Sequence, residues 1–351
     1  MRRVSRLQKG LESLGVKTVE FYLGEAGIDG PTPFYILAGG KLSKSIRGVD
    51  VVHAGGVGPA GITSVFKMLQ NDPPILIYDA HGDVLSEARL IGQQEALPRA
   101  CLRFVEVAWL ERLALLGCDA AVPCSRPLGD LLRREGFSKP IETIWNGVET
   151  GGHWSLNPPS SSKFIVSYVG GSHPWQGLDL LLDAVPMISQ MRNVVIRFVG
   201  PTESDIKAIL RSGIPQNVEV YPWVTDPGKL SELMESSHAF ILPRKKSRVN
   251  EVAFPTKFGE FCAIGRPVIS TEVGEVGAIV NREKCGVTCE PTADGLVKAI
   301  YSLENADISN LMAMSENARR VATDLLDIHS IAARYLAFLR RLTSGREARE
   351  S

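Results

Sequence analysis

Neither sign of charge prevails in this chain: Lys plus Arg number 39, and so do Asp plus Glu. A nucleic-acid-binding protein carries a basic excess, so the balance excludes DNA and RNA as expected partners. No run of about 18 apolar residues occurs that could span a bilayer, and the start, MRRVSRLQKG, lacks the apolar core of a secretory signal. The expectation is a cytoplasmic protein. The six cysteines (Cys101, Cys118, Cys124, Cys262, Cys285, Cys289) form no Cys-x-x-Cys pair and sit mostly inside apolar runs. They read as small core side chains in a reduced compartment, with no structural zinc and no metal site expected. No internal repeat of short period is present. Arg2, Arg3 and Arg6 on an early helix, with Arg340, Arg341 and Arg346 near the end, leave peripheral contact with the cytosolic face of a membrane open; scattered, solvated arginines are the plainer reading.

What is present is an alternation of strands and helices. At 351 residues the chain exceeds what one core usually supports, so two domains are expected. Val4, Leu7, Leu11 and Leu14 recur at helical spacing, which predicts a first helix over residues 2–14. Residues 16–23 alternate like a strand, and a Gly/Pro-rich loop runs through Pro33. Strands are expected at 49–54, 74–79, 118–124 and 141–145, with helices between them, the longest over 95–116. Gly151 to Lys163, polar and broken by two prolines, reads as a linker. A second set of strands follows at 164–169, 194–199, 218–221, 238–242, 267–271 and 287–290, and the chain is helical after residue 293. Strands alternating with helices give parallel sheets covered on both faces. The predicted architecture is α/β, with two doubly wound, Rossmann-like domains. Residues 1–150 form the first and 164–328 the second, and a C-terminal helix over 329–351 is placed to pack back on the first. Two such halves leave a cleft at the carboxyl ends of both sheets as the natural place for a ligand.

Two stretches carry chemistry. PTKFGEFCAIGRPVISTEVG, from Pro255 to Gly274, reads as helix, stop, buried strand and loop: a proline suits a first helical turn, and Gly265 stops the helix. Lys257 and Glu260 share one face near the helix N-terminus, where free amides and the dipole attract anions. A lysine there can meet a phosphate, and a carboxylate one turn on can accept two hydrogen bonds from a ribose diol. A solvated ion pair on an amphipathic helix is the bland alternative. Separately, Gly56, Gly58 and Gly61 match G-x-G-x-x-G between a strand and a helix, and Asp79 closes the next strand, where a dinucleotide fold binds its ribose. A nicotinamide-dependent oxidoreductase is therefore an alternative, although glycines at strand ends are common in any α/β sheet.

Taken in order, VDVVHAGG, LIYDAHGD, CDAAVPCS, IETIWNGV, VSYVGGSHPWQGLDLLLDA, RFVG, HAFILPR, PTKFGEFCAIGRPVISTEVG and GVTCEPTADGLVKAI resemble the retaining glycosyltransferases of GT-B fold, group 1 or GT4 type. The resemblance covers nearly the whole chain. It implies transfer of a sugar from a nucleotide-sugar donor to a saccharide, lipid-linked or small-molecule acceptor, in the cleft between the domains, with retained anomeric configuration. The family's ribose-binding glutamate falls on Glu260, and its phosphate loop on Gly170 to Gly177, including Gly171, Ser172 and Gln176. Thr256 and Lys257 would lie beside the diphosphate, and His81 matches a histidine that approaches the transferred sugar and is the candidate catalytic residue. The leaving diphosphate can be stabilised by amides, a helix N-terminus and lysine without a metal. No Asp-x-Asp occurs, as the metal-dependent GT-A class would need, and no cofactor beyond the nucleotide-sugar co-substrate is implied.

The chain departs from the family in three places. Gly171 and Gln176 stand where an arginine and a lysine are usual, so two cations facing the diphosphate are missing; Arg244, Lys245 or Lys246 could compensate. Val252 stands at the family's earlier glutamate, with Glu251 one position off. The chain also begins inside the family's first helix, so either the true start lies upstream or the first sheet lacks its first strand and has an exposed edge. These departures motivate a second reading, a catalytically inactive homologue acting as a binding or partner subunit. A sugar-nucleotide epimerase is a further alternative. His173, Trp175 and Trp223 are candidates to line a sugar site, or else caps on the core.

Overall fold

The structure is a computed structural model that describes residues 2–20, 44, 46–93, 95–152, 158–210 and 213–350, without the side chains of Arg2 and 346–350. It divides into two compact units, residues 1–145 with 329–351, and residues 146–328.

In the first unit the apolar stripe folds as expected into helix α1 (Arg2–Ser13), with Leu7 and Leu11 buried and Leu14 exposed. The strand expected over 16–23 lies partly outside the described residues, and 16–20 carry neither helix nor strand. Strand β1 (Val51–Gly55) leads into α2 (Val57–Lys67), and β2 (Ile75–Asp79) into α3 (Val84–Gly92) and α4 (Leu97–Gly117). Strand β3 (Ala120–Ala121) precedes α5 (Arg126–Arg134). The three strands pair in parallel in the order β1-β2-β3, and every residue of the central β2 is buried. The strands expected at 118–124 and 141–145 shrink to β3 and one bridge, Ala121 to Ile141. Pro123 is the reason: it has no N–H to give the ladder, although the Ile144 amide still reaches the Pro123 carbonyl oxygen at 3.0 Å.

The expected strands of the second unit appear within about one residue of their predicted ends, in line with the usual uncertainty of strand boundaries. They are β4 (Phe164–Val169), β5 (Val194–Gly200), β6 (Val218–Pro222), β7 (Ala239–Leu242), β8 (Val268–Thr271) and β9 (Gly286–Cys289). The helices of this unit are α6 (Leu178–Ile188), α7 (Glu203–Ile209), α8 (Pro227–Glu235), α9 (Arg248–Val252), α10 (Thr256–Ile264), α11 (Gly274–Glu283), α12 (Ala293–Glu304) and α13 (Ile308–Arg320). A π-helical turn (Val321–Leu325) then leads to α14 (Ile328–Glu350). The strand order is β6-β5-β4-β7-β8-β9, all parallel. Leu181, Leu182 and Val185 of α6 pack with Val166, Ile196, Phe198 and Ile241 in the core of this sheet. The chain builds outward from β4 in one direction, returns, and builds outward from β7 in the other. Loops at the carboxyl ends of β4 and β7 therefore flank a topological switch point, where doubly wound sheets bind ligands.

Candidate functional site

Glycine geometry shapes the switch point. Gly177 ends the loop after β4 with φ +74°, and a Cβ there would stand 1.8 Å from the Pro243 carbonyl oxygen. Only glycine lets the loop after β4 lie on the segment after β7. Within the first of these loops Gln176 Oε1 accepts from the Gly171 amide at 2.8 Å and lies 3.1 Å from the buried Tyr168 hydroxyl, which also reaches the Gly171 carbonyl oxygen at 2.7 Å. Burial pushes the Tyr168 phenol up, so it stays protonated as a donor. Gly170 packs under Gly200, and its amide donates to the Val199 carbonyl at 3.0 Å. Ser172 and His173 are exposed, and the His173 ring stacks on Trp175 at 4.9 Å. Trp223 is 71% exposed at the end of β6, so it is not a core cap.

The segment after β7 supplies the cations. Lys245 Nζ pairs with Asp179 Oδ2 at 2.6 Å in the first turn of α6, directly after the glycine loop. Arg244 donates from Nη1 to Asn250 Oδ1 at 2.9 Å, and Asn250 Nδ2 donates to the Lys245 carbonyl at 2.8 Å. Helix α9 is thereby held against the 244–245 backbone. Glu251, on that helix, accepts from the Gly274 amide at 3.1 Å and so caps α11, a structural duty for the residue one place off the family's glutamate.

Three residues, 253–255, separate helix α10 from the end of α9. Pro255 precedes it and offers no side-chain cap, so the amides of Thr256 and Lys257 have no intrahelical acceptor. Lys257 Nζ lies 3.1 Å from Glu260 Oε2, with side chains 23% and 13% exposed. The pair is thus partly withdrawn from water at a helix N-terminus, unlike the solvated lysine-glutamate pairs of α7 and α8.

His81 lies in the first unit, in the loop after β2. Its Nε2 stands 2.8 Å from Oδ2 of Asp79, which is fully buried. Arg3 Nε reaches both Asp79 oxygens at 2.9 and 3.1 Å, and His53 Nε2 lies 3.1 Å from Oδ2. Burial alone would raise the Asp79 pKa; the Arg3 charge, then His81 and His53, outweigh it and hold the carboxyl well below the usual range. His53 Nδ1 in turn meets the buried Tyr335 hydroxyl of α14 at 2.7 Å. Two expectations are corrected here. Asp79 cannot serve a nicotinamide ribose, because it is buried and engaged by three partners, and Gly61 serves helix packing, since a Cβ there would meet the Leu110 carbonyl oxygen at 2.5 Å. Arg3 is not a solvated or membrane-facing arginine: it is buried, and donates to Asp79 and to the Ile144 carbonyl at 2.7 Å. The sequence reading missed the Arg3, His53 and Tyr335 contacts with this site, and Asp179 and Asn250 in the second unit. The one signal for the first group was an aspartate closing a fully apolar strand, a charge that needs a partner.

Among the described residues no group of three or more His, Cys, Asp or Glu is arranged to hold a metal ion. No helix among them is long and apolar enough to cross a membrane.

Comparison with known proteins places this geometry. Residues 163–305 match the family model described as Glycosyl transferases group 1. Over 143 residues the chain is 27% identical to TuaH of Bacillus subtilis (strain 168), which carries a provisional name as a teichuronic acid biosynthesis glycosyltransferase; the match takes in 38% of this chain and 34% of that protein. Thus the matched stretch spans about a third of the length of this curated relative. Among solved structures, sucrose-phosphate synthase from Thermosynechococcus elongatus superposes with a TM-score of 0.69 at 18% identity, over 89% of this chain and 78% of that one. HepE from Anabaena in complex with UDP-glucose gives 0.67 at 18% identity, over 88% and 84%. A glycosyltransferase from Rickettsia africae gives 0.65 at 15%, over 95% and 86%. At these identities the structures establish the fold, which is GT-B, and the stretch that resembles group 1 glycosyltransferases in sequence lies within the second unit.

Proposed function

We infer that this chain, a group 1 glycosyltransferase by its second unit and by its GT-B fold, transfers a sugar from a nucleotide-sugar donor, with retained configuration, to a saccharide, lipid-linked or small-molecule acceptor. The observation that carries this reading is the half-withdrawn Lys257–Glu260 pair on the uncapped first turns of α10. Glu260 accepts from the two ribose hydroxyls of the donor. The amides of Thr256 and Lys257, with the helix dipole and the Lys257 ammonium, face the diphosphate, whose charge grows as the glycosidic bond breaks. The loop at Gly170, Gly171 and Ser172 lies on the other side of the phosphates, and Lys245 beside Asp179 supplies a cation that the loop itself lacks. Gln176, where the family has a lysine, shapes the loop through the Gly171 amide instead of meeting the phosphate. His81 approaches the transferred sugar. The donor diphosphate needs no metal in this scheme, because amides and ammonium groups take the developing charge. HepE in complex with UDP-glucose supports a nucleotide-sugar donor for the shared fold. The chain acts in the cytoplasm, and a lipid-linked acceptor would bring it to the cytosolic face of a membrane.

A second reading rests on the same loop. With Gly171 and Gln176 at the positions of two usual cations, the chain would bind a nucleotide without turning a donor over, as a partner subunit.

A thermal-shift panel of UDP, GDP, ADP, their common sugars and NAD, on the wild type and on Glu260→Ala with Lys257→Ala, tests both. One nucleotide family at a hundred times its dissociation constant should add about 2.7 kcal/mol to the wild type, and the double variant should lose the effect. Release of nucleoside diphosphate on adding the stabilising donor and a saccharide acceptor then separates transferase from binding subunit. An isomerised donor in the product would identify an epimerase. Stabilisation by NAD alone, or an undiminished shift in the double variant, overturns the assignment.

A further inference from the structure

Three groups, Arg3, His53 and His81, converge on the Asp79 carboxylate, and together they decide which nitrogen of His81 carries the proton. Asp79 is ionised beside Arg3, and an ionised carboxylate only accepts hydrogen bonds. His81 Nε2, 2.8 Å from Oδ2, must therefore be the protonated nitrogen. In the neutral ring Nδ1 is then left with a lone pair. Among the described residues Nδ1 makes no hydrogen bond, and the His81 side chain is 41% exposed.

The carboxylate cannot turn away from this duty. Arg3 Nε spans both of its oxygens. His53 holds Oδ2 from the β1 side, and its own tautomer is set in the same manner: burial keeps Tyr335 protonated, its hydroxyl donates to His53 Nδ1, and His53 Nε2 must donate to Asp79. The backbone of His81 is pinned as well. The Cys124 thiol lies 3.2 Å from its carbonyl oxygen, and the buried Asp83 caps α3 through the Ser86 amide at 3.1 Å and the Ser86 hydroxyl at 2.6 Å.

We propose that Asp79 is a positioning residue that locks His81 in the Nε2–H form and makes Nδ1 an acceptor for a hydroxyl of the bound sugar. The substrate group opposite His81 is thus a hydroxyl that donates. A carboxylate or phosphate oxygen finds no donor there while the ring is neutral. This rests on the reading that His81 faces the transferred sugar, but the tautomer itself does not depend on any substrate.

The test is a long-range proton–nitrogen correlation spectrum of the full chain labelled with nitrogen-15 histidine, at a pH where the ring is neutral, with His81 assigned by His81→Gln. The wild type should show a protonated Nε2 and a bare Nδ1. In Asp79→Asn the new amide can offer an N–H to Nε2, and the His81 signals should move toward the Nδ1–H form. With UDP-glucose as donor, kcat/KM should fall about tenfold or more in that variant, the cost of one well-placed hydrogen bond. A wild-type ring protonated on Nδ1, or an Asp79→Asn spectrum in which His81 is unchanged, overturns the proposal. If Asp79→Asn does not fold, as circular dichroism would reveal, the wild-type spectrum decides alone. Failure of the glycosyltransferase reading is separate: it would appear as no nucleotide binding and no turnover, with the tautomer result intact.

Discussion

At the scale of single residues, the cost of burying charge governs the first unit. Asp79 has no exposure and Arg3 little, and each is tolerable only because the other is 2.9 Å away. Removing one partner leaves an uncompensated buried charge, which costs about 3–5 kcal/mol. Asp79→Ala should therefore lower the stability of the protein by about that amount in urea unfolding, far more than truncating an exposed carboxylate such as Glu203. The sign of the pH dependence follows from the depressed folded-state pKa of Asp79. Its contribution is fully present above the unfolded value, about 3.9, and is lost as pH falls through the folded value. Acidification from pH 5 to below 3 should thus erode wild-type stability more steeply than that of Asp79→Ala, measured by the urea midpoint at each pH. Legibility at this scale is divided. Lys257 and Glu260 could be read as neighbours because three residues on a helix is a spatial rule. Arg3 and Asp79 could not, because 76 residues separate them in the chain and only the docking of α1 against the carboxyl end of β2 brings them together.

At the scale of elements, two glycines of similar appearance in the sequence do opposite work. Gly58 lies in α2 with nothing within 4 Å of a Cβ, so Gly58→Ala removes backbone freedom from the unfolded chain and should stabilise by about 0.4–1 kcal/mol. Gly177 has φ +74° and the Pro243 carbonyl where its Cβ would be. Gly177→Ala should destabilise by about 2 kcal/mol or more and weaken nucleotide binding, because the loop after β4 must lift off the 243–245 segment. Thermal melts of the two variants, with and without nucleotide, check both. The G-x-G-x-x-G match was legible but misleading: the same spacing that cradles a pyrophosphate also lets α2 approach α4 at Gly61. Strand β3 shows the complementary effect. Its apolar run predicted seven residues, and a single proline, without an amide to donate, cut the regular ladder to two.

At the scale of the whole molecule, burial sorts the cysteines. Cys101 is exposed and the other five are buried. Burial pushes the thiols of Cys118 and Cys289 up to about 12, and that of Cys262 well above its ordinary value. A buried, protonated thiol is a poor nucleophile. Native protein titrated with an aromatic disulfide reagent should show one fast-reacting thiol, absent in Cys101→Ser, and six in denaturant. Two or more fast thiols in the native state would mean that one of the cores opens readily. Residues 329–351 show what chain order conceals: they follow the second unit in sequence and belong to the first in space, where Tyr335 meets His53.

The sequence by itself determined the alternation of elements, the parallel second sheet and the place of Lys257 and Glu260, because hydrophobic period, glycine stops and helical spacing act over a few residues. Only the tertiary structure decided that Asp79 is an anchor and not a ribose ligand, that Gln176 closes its own loop, and that Glu251 caps α11. Each of those outcomes depends on which distant group reaches a buried polar atom first, and water is no longer there to satisfy the atom instead.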